Sequence, residues 1–249
     1  MPIWTIADLH LSFGVPNKKM DPFGVRWHDH ANRLKENWIR LVAPDDLVLI
    51  AGDISWAKLL TEVQPDLAWI HALPGTKVMI QGNHDYWWGS LKKVRSILPP
   101  SIHVIQNDAF HWGDVSIAGS RLWDTPEYTF DSYIESTETP EGIARLVEHP
   151  STDDEKVFSR ELIRLEMSLQ ALNPEARLRI AMTHYPPIGP DLAASRTSAL
   201  LERYNVNLCL FGHIHSVIPD ALPLGEKNGV RYLLTACDYL HCTPLKIRD

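Results

Sequence analysis

The sequence predicts an α/β fold in which two β-sheets face each other with helices on their outer sides, and three observations carry the prediction. Five short apolar runs rich in Val, Ile and Leu, at residues 3–7, 47–51, 78–81, 178–183 and 208–211, are each closed by glycine or a polar residue. That is the pattern of buried parallel strands. Stretches of helical length separate the first three runs, and two hairpin signals, Gly113-Asp114 and Asn228-Gly229, add antiparallel strands to the parallel set.

Taken in order, the run at 3–7 leads to a polar-apolar helix over 29–42, and the run at 47–51 to a helical stretch over 56–71 that Pro65 interrupts. The run at 78–81 is followed by a helix over 87–97. Gly113-Asp114 joins strands at 109–112 and 115–119 as a hairpin. Phe158, Leu162, Leu165, Leu169 and Leu172 then recur at helical spacing with charges between them, so this helix faces the core, and Ser151 or Thr152 can cap its start. Asn228-Gly229 turns the chain into a strand over 230–236. Internal repeats and low-complexity tracts are absent.

Each of the five runs stops at a side chain of a type that can bind metals. The breaks read Asp8-Leu9-His10, Gly52-Asp53, Gly82-Asn83-His84-Asp85, His184, and Gly212-His213-Ile214-His215. In an open α/β sheet the carboxyl ends of parallel strands line one crevice, where ligands bind, so the breaks are expected to converge. Carboxylate, imidazole and amide oxygen suit zinc, manganese or iron, and no thiolate is present to favour softer metals. A catalytic zinc takes roughly three protein ligands. Eight candidate groups, Asp8, His10, Asp53, Asn83, His84, His184, His213 and His215, therefore point to two ions, which a carboxylate can bridge at a separation of about 3.5–4 Å. Read singly, each residue has an ordinary alternative: Asp8 and Asp53 as turn or cap residues, His184 as a loop histidine, His213 and His215 as surface histidines, Gly82 and Gly212 as hinges for sharp turns.

As a set, D-L-H, G-D, G-N-H-D, a lone histidine after a strand and G-H-I-H resemble the five-block signature of the calcineurin-like metallophosphoesterases, spread from residue 8 to residue 215. The resemblance implies a four-layer α/β sandwich of two mixed β-sheets flanked by helices, with a dinuclear metal site at the carboxyl ends of the strands. It implies that Asp8, His10, Asp53 and His215 hold one divalent ion and that Asp53, Asn83, His184 and His213 hold the other, with Asp53 bridging. Manganese, iron and zinc all fit. His84 is then not a ligand but the catalytic group near the leaving oxygen. The implied activity is hydrolysis of a small phosphodiester or phosphomonoester by in-line attack of a hydroxide that bridges the ions.

The second block departs from part of that family. Its phosphoprotein phosphatases extend the block to G-D-x-x-D-R-G, whereas here Gly52-Asp53 is followed by Ile54-Ser55-Trp56-Ala57. This disfavours a protein-phosphatase role and leaves the residue that orients His84 unassigned, with Asp85 a candidate. The sequence looks more like the small bacterial phosphohydrolases and phosphodiesterases. Two alternatives rank lower. A UDP-diacylglucosamine pyrophosphatase of lipid A synthesis carries Arg in the third block where this chain has His84, and a non-catalytic scaffold that binds protein partners has typically lost ligands that this chain keeps.

Composition bounds the remainder. A chain of 249 residues can bury a full core, and every block serves one site, so a single domain over 1–249 is expected. Hydrophobic and charged contents of 45% and 22% are those of a soluble globular protein, and a net charge of −7 disfavours a general nucleic-acid binder. Cys209, Cys237 and Cys242 form no CxxC pair and read as reduced thiols. No targeting or transmembrane segment is visible, so a cytoplasmic protein acting on a small phosphorylated substrate is expected. Segments 11–30 and 121–150 are long, rich in aromatic residues and outside the strand-helix skeleton; they are expected to form a lid or substrate wall. Packing over the sheet edges is the competing reading, and His28 and His30 as extra ligands a minor one.

Overall fold

The structure, a computed structural model, describes residues 1–135, 152–222 and 224–249. Among the described residues sixteen strands and α-helices form the framework: β1 (Ile3–Ile6), α1 (His30–Leu41), β2 (Leu47–Ile50), α2 (Gln64–Ala72), β3 (Thr76–Met79), α3 (Leu91–Arg95), β4 (Ile102–Val104), β5 (Phe110–Trp112), β6 (Val115–Ser120), α4 (Thr152–Gln170), β7 (Leu178–Thr183), α5 (Arg196–Arg203), β8 (Leu208–Phe211), β9 (Glu226–Lys227), β10 (Val230–Leu234) and β11 (Leu245–Arg248).

The strands make two mixed sheets, ordered β11-β1-β2-β3-β4 and β5-β6-β7-β8-β10-β9. In the first, β1 to β4 run parallel and β11 pairs antiparallel with β1. In the second, β6, β7, β8 and β10 run parallel, with β5 and β9 antiparallel at the edges.

Why these runs lack polar alternation follows from the layering. In β2, Leu47 and Leu49 point between the sheets, where they meet Ile117, Ile180, Met182 and Leu210 of the second sheet. Val48 and Ile50 face outward onto Leu34 and Trp38 of α1 and Leu67 and Ile70 of α2. On the far side Leu165 and Leu169 of α4 and Leu200 and Leu201 of α5 cover Ala181, Cys209, Phe211 and Tyr232. With both faces covered, every residue of β2 is fully buried, and each such aliphatic side chain contributes roughly 1.5–3 kcal/mol. The four layers of the expected sandwich are thus present.

Several boundaries differ from the sequence expectation. Pro65 sits in the first turn of α2 and does not interrupt it, since a residue without an N–H is best tolerated there; residues 56–63 form a loop. α3 is short, with Trp87 and Trp88 buried on the loop before it. Ser151, the Thr152 side chain and residues 136–150 of the second aromatic segment lie outside the described residues. Among the described residues no helix is long and apolar enough to cross a membrane, and all three cysteines are buried and free.

Candidate metal centre

The carboxyl ends of strands from both sheets meet at one edge of the sandwich. Ala7 N donates to Thr235 O at 2.7 Å, Asp8 N to Gly52 O at 2.9 Å and Gly212 N to His184 O at 3.1 Å, stitching the loops after β1, β2, β7, β8 and β10 together. Two glycines make room. A Cβ on Gly82 would stand 2.1 Å from Asp53 Oδ1, and one on Gly212 would stand 2.3 Å from Asp8 Oδ2. Asp8, His10, Asp53 and His213 all hold positive φ, between 44° and 71°. For residues with a Cβ this conformation costs on the order of 1–3 kcal/mol each, and it clusters at functional sites.

The side chains form two adjoining groups. In the first, ligating atoms of Asp8, His10 and His215 lie within 4.8 Å of one another. Nε2 of His215 is 3.4 Å from Nε2 of His10 and 3.6 Å from Asp8 Oδ1. In the second, His184 Nε2 is 2.6 Å from Asn83 Oδ1, which is 3.1 Å from His213 Nδ1. Asp53 spans the two: Oδ2 is 3.6 Å from His10 Nε2, and Oδ1 is 3.4 Å from His184 Nε2. Asp8 lies near both, since Asp8, Asp53 and His184 also fall within 4.8 Å. The floor, Asp8, His10, Asp53 and His184, is buried, while His215 and His84 are about a fifth exposed at the mouth.

Hydrogen bonds set the imidazole tautomers. The Ala51 carbonyl, 3.0 Å from His184 Nδ1, can only accept, so Nδ1 carries a hydrogen and Nε2 is the nitrogen turned toward Asn83 Oδ1. His215 Nδ1 likewise donates to Asp238 Oδ1 at 2.9 Å, leaving Nε2 turned toward Asp8 and His10. Asp53 Oδ2 and His10 Nδ1 are buried without a hydrogen-bond partner, a costly state for polar atoms. Imidazole nitrogens turned inward and an orphaned carboxylate oxygen fit a donor set built for cations.

Electrostatics agree. Burial pushes Asp8 up to about 6 against the pull of the His215 and His184 imidazoles. Burial acts the same way on Asp53, but His184, His10 and His84 outweigh it and hold that carboxyl well below the usual carboxylate range. Burial lowers His10 well below the ordinary imidazole value. It also opposes charge on His184, yet Asp53 and Asp8 prevail and raise it to about 9.

His84 stands beside this cluster. Its Nε2 is 4.0 Å from Asp53 Oδ2, and its backbone N–H donates to Asp53 Oδ1 at 2.8 Å. The Asp85 carboxylate accepts from the backbone N–H groups of Ile54, Ser55 and Gly82 and from Trp87 Nε1, so it clamps the β2 and β3 loops together. Asp238 is the residue the sequence reading missed. The signal was available: the run at 230–236 also ends in a carboxylate, two residues on.

The first aromatic segment packs directly on the cluster. Trp27, 2% exposed, meets His10 and His215 edge-on at 5.5 and 5.3 Å, and Trp56 stacks on His10 at 5.1 Å. His28 is exposed and 3.3 Å from Asp21, while His30 Nε2 bonds Leu9 O at 3.0 Å, so neither joins the ligand groups. Trp123 of the second segment lies 5.2 Å from Tyr185, whose ring is 4.0 Å from His213.

Comparison with known proteins bears on this geometry. A family profile described as calcineurin-like phosphoesterase matches residues 1–217. The Gene 66 proteins of Mycobacterium phages D29 and L5 are 38% identical over 84 residues and 34% identical over 86, in each case 33% of this chain. The matches span about two fifths of the length of those relatives, 40% and 39%. Among solved structures, the phosphopantetheinyl hydrolase PptH from Mycobacterium tuberculosis superposes with a TM-score of 0.53 at 18% identity, over 94% of this chain and 88% of that one. The protein of unknown function AQ665 from Aquifex aeolicus gives 0.50 at 15% identity, over 98% and 95%. At these identities the two structures share the fold.

Proposed function

The chain belongs to the calcineurin-like phosphoesterase family, and on that premise we propose that it is a dinuclear-metal phosphoesterase acting on a small phosphodiester or phosphomonoester. The observation that carries the reading is Asp53, whose two oxygens face separate groups of ligating side chains, one oxygen buried without a hydrogen-bond partner. Asp8, His10, Asp53 and His215 would hold one ion, and Asp53, Asn83, His184 and His213 the other. A divalent manganese, iron or zinc ion held there would supply a hydroxide near neutral pH and offset charge on phosphoryl oxygens.

The protein's own groups do the rest. Ala51 O and Asp238 fix the His184 and His215 rings with Nε2 inward, toward the other ligating side chains. His84, partly exposed beside Asp53, would protonate the departing oxygen, a task suited to imidazole near neutral pH. No serine or cysteine nucleophile is required.

A metal-reconstituted screen tests the proposal, with aryl phosphomonoesters, aryl phosphodiesters, cyclic nucleotides, nucleoside diphosphate derivatives and a phosphopantetheinyl ester as substrates. Turnover that chelation abolishes and metal restores supports it. Metal-loaded protein that turns over none of these classes would instead support the scaffold reading.

A further inference from the structure

Among the described residues three aromatic side chains are exposed: Phe13, Phe23 and Tyr86, at 48%, 46% and 60%. A single exposed apolar side chain is ordinary, and Phe13 is such a case, leaning on Trp69 of α2 at 5.6 Å. The other two lie by His84, Tyr86 directly and Phe23 through Trp56. Tyr86 meets His84 edge-on at 6.1 Å. Phe23 lies nearly parallel to Trp56, 11° between planes and 6.3 Å between centroids, and the Trp56 ring is 4.4 Å from His84. An aromatic surface therefore runs outward from His84 into solvent.

The surface is held in place. Trp56 N donates to Leu11 O at 2.9 Å and its indole N–H to Met20 Sδ at 3.1 Å; Phe23 N donates to Met20 O, and Tyr86 N to His84 O at 2.8 Å. The Lys18 ammonium lies 5.9 Å over the Trp56 ring. A positive charge at this mouth, in a chain of net charge −7, is placed to attract an anion.

We propose that Phe23, Trp56, Tyr86 and Lys18 form a subsite for a nucleotide, its base against the exposed rings and its phosphate toward His84 and the ligand groups beside it. This rests on the phosphoesterase reading of the site. A purely apolar group would use the rings but leave Lys18 idle, and a sugar phosphate would do the reverse. A planar ring joined to an anion uses both. Stacking of a base on aromatic side chains is worth roughly tenfold or more in affinity.

The test uses the full chain loaded with metal and measures both Kd and turnover for adenosine 5′-monophosphate, phenyl phosphate and ribose 5-phosphate. The nucleotide should bind about tenfold or more tightly than ribose 5-phosphate, with phenyl phosphate between them. Phe23→Leu and Tyr86→Leu keep apolar bulk while removing the ring, and each should shrink that ratio severalfold. Equal affinity for nucleotide and ribose 5-phosphate, or a ratio unmoved in both variants, overturns the subsite. Phenyl phosphate binding as tightly as the nucleotide overturns the nucleotide assignment. If none of the three is hydrolysed while the affinity ratio and its loss in the variants persist, the subsite stands and the phosphoesterase reading falls.

Discussion

Asp238 accepts the Nδ1 hydrogen of His215 at 2.9 Å with one carboxylate oxygen and the backbone N–H of Ser216 at 2.8 Å with the other. The carboxylate is 1% exposed, so the ring cannot turn without leaving a buried charge unpaired. Partners of this kind orient metal-binding imidazoles and raise their basicity. Asp238→Ala should therefore weaken one of the two metal-binding steps by about 10–100-fold, with a smaller effect on the other. Competition against a chelator measures both steps, and unchanged affinities would remove Asp238 from the site.

Asp53 should matter to both ions. Its two oxygens face opposite groups at 3.6 and 3.4 Å, and Asp53→Asn removes a negative charge shared between them. Elemental analysis should find about two ions per chain in the parent protein and loss from both sites in the variant. Two undiminished ions in Asp53→Asn would overturn the bridging role. By the same reasoning His10→Ala should chiefly empty the first position and His184→Ala the second.

Trp27 separates packing from substrate selection within the first aromatic segment. Being 2% exposed and edge-on to both His10 and His215, it supports the ligand rings directly. Trp27→Ala should cost about 3–5 kcal/mol of stability and lower metal affinity as well. A variant with parental Tm and metal content but an altered substrate ranking would return Trp27 to the role of a substrate wall.

The parts of this site that the sequence revealed are those fixed by local chemistry. An apolar run that stops at Asp, Asn or His announces a strand end, and β1, β2, β3, β7 and β8 bring their terminal side chains together across both sheets. What the sequence hid was decided by tertiary contact. β4, of three residues, and β11, an edge strand with a partly exposed face, carry too little apolar pattern to stand out. Trp27 and Phe23, four residues apart at the ends of two adjoining 3-10 turns, give the same compositional signal, yet one is buried against imidazoles and the other open to solvent. Asp85 follows His84 in sequence, but its carboxylate is engaged by the N–H groups of Ile54 and Ser55 in the loop after β2 and of Gly82 in its own.

A stability profile across pH should expose Lys77. Its ammonium is fully buried in β3, donating to Leu73 O, and burial lowers its pKa to about 8. The unfolded chain, with the ordinary lysine value near 10.4, then binds more protons than the folded one between about pH 8 and 10.4. Stability from this group is lowest below pH 8 and rises as pH climbs through that window. Relative to parental protein, Lys77→Met should be at its most favourable at pH 7 and lose ground steadily toward pH 10. A difference in Tm between the two that does not change with pH would show that Lys77 does not titrate in that range.

His84 is separable from the ligands by what its loss should leave intact. Its backbone N–H is tied to Asp53 Oδ1, but its ring sits 4.0 Å from Asp53 Oδ2, against Trp56 and about a fifth exposed. His84→Ala should keep both ions and still bind substrate while losing roughly 10²–10⁴-fold in turnover, the usual worth of a positioned acid. The loss should be greatest for alkoxide leaving groups and smaller for nitrophenolate, which departs without a proton. Metal analysis paired with turnover of an alkyl and a nitrophenyl phosphodiester distinguishes the possibilities. Loss of an ion would make His84 a ligand, and equal impairment on both esters would make it a phosphate-binding group.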